Sequence, residues 1–181
     1  VNKSRRKVLT DLALHELVNA LTLHAEAAEQ AMDGWTYFTS LERAQGVVGA
    51  ADNDLGALDD AHGQVEAIQQ EEEDALHNLP EALQGAAQGE RMSEALGHLA
   101  DGADSLLEAQ SEIRDAVDAL DRLAEILSDT LADEDGGCWI FTEAEIEAEV
   151  EALYEQIGTG LRAAADAAQA AADAVEQAVC C

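Results

Sequence analysis

Residues 92–131 read MSEALGHLADGADSLLEAQSEIRDAVDALDRLAEILSDTL. Met92, Leu96, Leu99, Ala103, Leu106, Gln110, Ile113, Val117, Leu120, Ala124, Leu127 and Leu131 follow one another at alternating steps of four and three, and all but Gln110 are apolar. That rhythm places them on one face of an α-helix, and its persistence over about 40 residues is the mark of a coiled coil. A strand would need alternation by two, which is absent here. The stretch therefore predicts a long helix with an apolar seam that must be covered by other helices.

Upstream, Pro80 suits the first turn of this helix, where its missing N–H costs nothing. The third helix is accordingly expected over about 80–132, loosened around Gly85 and Gly89. The segment before it carries Leu41, Ala44, Val48, Ala51, Leu55, Leu58, His62 and Val65 in the same rhythm, with Leu76 on its continuation. This predicts a second helix over about 37–77. Gly49, Gly56 and Gly63 recur every seven residues beside that seam. Glycine costs about 1 kcal/mol per helical site relative to alanine. Three at one heptad position suggest the close approach of another backbone; the rival reading is a weak, bendable helix. His62 lies on the seam, where a polar side chain commonly fixes register.

Leu14, Val18, Leu21, Ala25, Ala28 and Met32 predict a first helix over about 5–32 that ends at Gly34. Downstream, Asp133 to Gly137 forms a loop, and Thr142 with Glu145 makes a capping box. A fourth helix is expected over about 142–179, with Ile146, Val150, Leu153, Ile157, Leu161, Ala164, Ala168, Ala171, Val175 and Ala178 facing inward. The two steps of four from Leu153 to Leu161 form a stutter. The alanine-rich end buries little area per residue and should fray.

The fold expected is therefore all-α: an elongated antiparallel coiled coil, or up-down-up-down bundle, of four helices in one domain spanning 1–181. Short connections make consecutive helices antiparallel neighbours. The second and third helices outrun the first, so a hairpin around 66–95 should project, with Leu79 and Pro80 at its tip. At the other end, Trp35, Tyr37 and Phe38 should meet Trp139 and Phe141 as an aromatic plug. Such side chains bury roughly 150–250 Å² each. A ligand pocket lined by these aromatics is the less favoured alternative.

Charge restricts function. Of 181 residues, 39 are acidic and nine basic, for a formal net charge of −30. Lys3, Arg5, Arg6 and Lys7 account for four of the nine basic residues, leaving five for the rest of the chain. A surface so acidic cannot neutralise phosphates, so direct nucleic-acid binding by the body is not expected. No apolar run is long enough to span a membrane. The basic start lacks the unbroken apolar stretch of an export signal, so a cytoplasmic setting is the default. Cys138, Cys180 and Cys181 have neither disulfide-framework nor zinc spacing.

Chemistry-bearing patterns are sparse. A di-metal bundle needs Glu-x-x-His pairs on two helices. The nearest matches, Asp59 with His62 and Asp74 with His77, share one helix about 22 Å apart. No nucleophile elbow or phosphate-cradling glycine loop occurs. The run Glu71-Glu72-Glu73-Asp74 stands near a helix C-terminus, where anions are disfavoured. Simple solvation is the plain reading; a cation, Arg91 across the hairpin or the basic N-terminus would offset it otherwise.

The stretch Glu71-Glu72-Glu73-Asp74-Ala75-Leu76-His77-Asn78-Leu79-Pro80-Glu81-Ala82-Leu83-Gln84, followed by Gly89-Glu90-Arg91-Met92, resembles small bacteriophage and prophage proteins with an acidic helix, an Asn-Leu-Pro-Glu-x-Leu-Gln motif and a long acidic coiled-coil helix. The resemblance spans about residues 65–127 and extends to the Arg5-Arg6-Lys7 start. It implies no catalytic residues. The glycine heptads before the motif and the fourth helix depart from it.

Together these readings predict a non-enzymatic helical interaction module without cofactor or metal, phage or prophage encoded. It would bind a protein partner or itself. The seam at Leu106, Ile113, Val117 and Leu120 would serve packing, and Leu79 and Pro80 partner contact. One alternative is an acidic mimic of nucleic acid that inhibits a host DNA-binding protein; another is a metal- or ligand-binding bundle.

Overall fold

The computed structural model describes residues 8–32, 37–132 and 143–180. They form five α-helices, not four. These are α1 (His15–Met32), α2 (Tyr37–His77), α3 (Glu81–Gln84), α4 (Ala87–Ala132) and α5 (Glu143–Cys180). The extra helix arises because the segment expected as one rod over 80–132 breaks after a single turn. Gly85 ends α3, and α4 restarts at Ala87.

A π-helical turn, Leu9–Leu14, leads into α1. In an α-helix, residues five apart point about 140° away from each other. The wider π turn, closed by i to i+5 bonds, brings them towards one side. Leu9 and Leu14 are accordingly both buried. Beyond it Val18, Leu21, Ala25 and Ala28 are buried as the seam predicts, with Leu17 added beside them.

The four long helices pack in a ring, with α1 against α2, α2 against α4, α4 against α5 and α5 back against α1, while α2 and α5 barely touch across the diagonal. The helices α4 and α5 run antiparallel. Gly102 of α4 lies against Ala171, Ala174 and Val175 of α5, and Gly160 of α5 lies against Glu112 and Ala116 of α4.

The core is the inner face of this ring. From α4 it takes Leu99, Leu106, Ile113 and Leu120 of the predicted seam, with Val117 half-buried against them. Ala95, Gly102, Ala109, Ala116 and Leu123, seven residues apart, add a second buried row. On α5 two adjacent rows are buried. One runs Ile157, Leu161, Ala165, Ala168, Ala172 and Val175; the other runs Gly160, Ala164, Ala167, Ala171, Ala174 and Ala178. The second row is entirely alanine and glycine, so the α5 backbone can approach its neighbours closely. The alanine-rich end, expected to fray, is helical to Cys180, and its small side chains are buried as far as Ala178. What each residue lacks in area is offset by burying two rows rather than one.

The glycine heptad of α2 corrects an expectation. A Cβ placed on Gly49, Gly56 or Gly63 would meet nothing within 4 Å, and all three are exposed. They sit one residue past seam positions Val48, Leu55 and His62, which turns them about 100° away from the seam and into solvent. Among the described residues no backbone approaches there.

Candidate functional site

The hairpin joining α2 to α4 is built by the same residues that made the sequence motif. At the end of α2, the Asn78 backbone N–H donates to the Asp74 carbonyl at 3.1 Å, and its side-chain Nδ2 donates to the same oxygen at 2.7 Å. Pro80, with φ −54° and ψ 139°, is the residue at which the chain turns into α3. Its carbonyl accepts from the Leu83 N–H at 2.7 Å and the Gln84 N–H at 3.2 Å. Gln84 then reaches back, with Nε2 donating to the Leu79 carbonyl at 2.8 Å and the His77 carbonyl at 3.4 Å. The bonds to the Asp74 and His77 carbonyls satisfy groups that the end of α2 leaves open. Gly89 closes the structure. A Cβ there would lie 1.9 Å from the Gln84 carbonyl oxygen, so only glycine fits.

The hairpin is hydrogen-bonded within itself but little covered. From Glu73 to Glu94, Gly89 is the one buried residue. Leu79 is half-buried, Pro80 is exposed, and Leu83 is 43 % exposed. Asp74, Glu81 and Glu90 flank them along the chain, all exposed. Arg91 does not cross the hairpin to the acidic run; its Nε donates to the Ala87 carbonyl of its own helix at 3.2 Å. Within that run Glu72 is not simply solvated, being only 6 % exposed.

The seam residues do not form a free surface. Leu106, Ile113 and Leu120 are buried within one chain, so the seam is consumed in building the bundle. Gln110 is buried among them; its Oε1 accepts from Arg114 at 3.1 Å, and its Nε2 meets no acceptor among the described residues. His62 is half-buried and lies 3.7 Å from Glu66 of its own helix.

Two contacts between helices carried no sequence signal. His24 Nε2 of α1 lies 3.0 Å from Asp54 Oδ2 of α2, both half-buried. Arg122 of α4 donates to Glu149 of α5. The residue spacings within each helix give no hint of either, because both depend on how the helices are set against each other.

Tyr154 of α5 is buried in the core, and desolvation pushes its phenol pKa up. Of the expected aromatic plug, Trp35, Trp139 and Phe141 lie outside the described residues, as do Cys138, Cys181 and Thr142 of the capping box; Tyr37, Phe38, Glu145 and Cys180 are described only as helical backbone, so neither the plug nor the box lies within the described side chains. No group of three or more His, Cys, Asp or Glu side chains among the described residues is arranged to hold a metal ion. A shallow, open groove between α4 and α5 is lined by His98, Asp173, Glu176 and Gln177. No described helix is long and apolar enough to cross a membrane.

No family model, curated protein or solved structure matches the chain.

Proposed function

We propose that the protein is a non-enzymatic interaction module that engages a protein partner through the hairpin tip at Leu79, Pro80 and Leu83. One observation carries this reading. The tip holds apolar side chains in the open on a turn fixed by side-chain bonds from Asn78 and Gln84. A turn already ordered loses little conformational entropy on binding, so more of its contact energy appears as affinity. The seam residues support the same reading, since they are engaged inside the bundle and leave the tip as the better candidate surface.

The test is affinity capture from a bacterial lysate with the wild-type chain and with a Leu79→Ser, Leu83→Ser double variant. The reading expects at least one protein retained by the wild type and lost by the variant. Identical captures would sink it.

Charge density favours a second reading, the mimicry of nucleic acid. A rod the length of α4, 46 residues, is about 69 Å long at 1.5 Å per residue. Thirty net negative charges over that length give about one per 2.3 Å, near the one per roughly 1.7 Å of duplex DNA. Exposed Asp101, Asp104, Glu108, Asp115, Asp118 and Glu125 run along α4. If this reading holds, the protein displaces duplex DNA from basic DNA-binding proteins at physiological salt; failure to displace any removes it.

A further inference from the structure

We infer that the hairpin tip is a receptor for a cationic peptide segment carrying large apolar side chains; the inference rests on the interaction reading above and names the chemistry of the partner. Three observations combine. The first is apolar exposure grouped on one turn. Among the described residues Val8, Leu23, Leu83 and Leu107 are the large apolar side chains most open to solvent. Of these four, Leu83 alone stands on the hairpin turn with Leu79 and Pro80. Leu23 and Leu107 sit on α1 and α4, and Val8 stands just before the π turn; single apolar residues scattered in this way are ordinary. The second is a defined turn. The side chains of Asn78 and Gln84 bond main-chain carbonyls of the tip, and Gly89 lies close against the Gln84 carbonyl.

The third is the sign of the surrounding field. Between Arg43 and Arg114 the sequence contains a single basic residue, Arg91, whose guanidinium already bonds its own helix. Asp74, Glu81 and Glu90 flank the apolar turn. Such a surface repels a second copy of itself, an anionic membrane and nucleic acid alike. It attracts and orients a positively charged segment. Charge alone would give diffuse, salt-sensitive binding anywhere on the rod. The leucines supply the short-range term that localises it, so the partner must be both cationic and apolar.

Selection from yeast-displayed random peptides at physiological salt tests this, using the full chain as bait and the Leu79→Ser, Leu83→Ser variant as counter-bait. The variant keeps the formal charge. The two substituted side chains lie outside the buried core, and matching circular dichroism of the two baits checks that both are folded. The expected result is a set of peptides rich in Lys or Arg with Leu, Ile, Phe or Trp. These should bind the wild type at least tenfold more tightly than the variant, in a 1:1 complex. Cationic peptides that bind both baits equally would overturn the localised site and leave only diffuse electrostatics. Tip-dependent peptides that are neutral or acidic would overturn the cationic partner while leaving the interaction reading intact. Recovery of no tip-dependent peptide would overturn both.

Discussion

Two faces of this molecule use glycine in opposite ways. On α2, Gly49, Gly56 and Gly63 recur at perfect heptad spacing and touch nothing. On the α4–α5 interface, Gly102 and Gly160 stand without any such repeat and face the neighbouring helix directly. A Cβ on Gly102 would lie 3.1 Å from Val175, and one on Gly160 would lie 3.3 Å from the Glu112 carbonyl. A repeat thus identifies a face but does not say what lies opposite. That depends on the phase of the repeat relative to the seam, and on the neighbouring helix.

The largest effects should come from emptying the packed side of this comparison. Ile113→Ala is expected to cost about 2–5 kcal/mol, as buried truncations do. Leu107→Ala, on an exposed position of the same helix, should stay within about 0.5 kcal/mol. Urea midpoints of the two variants make the contrast; equal losses would mean that the buried face is misassigned.

Overfilling comes next. Ala168 is fully buried on α5, and Ala168→Leu should destabilise by about 1–3 kcal/mol by forcing helices apart.

The glycines give the sharpest version. Each of Gly49→Ala, Gly56→Ala and Gly63→Ala should raise stability by roughly 0.5–1 kcal/mol, since alanine is the better helix former and the space is open. Gly160→Ala should instead lower it by about 1 kcal/mol, because the new methyl presses on a main-chain carbonyl that cannot rotate away. Opposite signs in chemical denaturation are the expected outcome. If the α2 substitutions destabilise, something covers that face in solution.

The smallest effect belongs to pH. Burial raises the Tyr154 pKa above its ordinary value near 10.0. The folded chain therefore holds this proton more tightly than the unfolded chain. The resulting stabilisation is complete below about pH 10 and is lost as pH rises through the folded value. Melting followed from neutral to strongly alkaline pH should show a steeper decline for the wild type than for Tyr154→Phe.

Much of the bundle was legible because its signals lie within single helices. The α4 seam, the alternation of α1, the length of α2 and the inward row of α5 all follow from spacing alone. The buried row of Ala95, Gly102, Ala109 and Ala116 was equally periodic, yet alanine is so common in this chain that one more row of it does not stand out. The π turn at Leu9–Leu14 was hidden for another reason. A spacing of five between leucines reads as a break in rhythm until the helix widens to absorb it. The break after Gln84 was foreshadowed by Gly85 and Gly89, but the reach of the Gln84 side chain back to Leu79 was not. Of the tip, Leu79 and Pro80 could be picked out from the motif. Leu83 could not, since its exposure depends on α3 stopping after one turn.

The contact between Gly89 and the Gln84 carbonyl constrains how this chain can vary. Any side chain at position 89 would run into main chain, so a replacement there requires α3 to shift away from the start of α4.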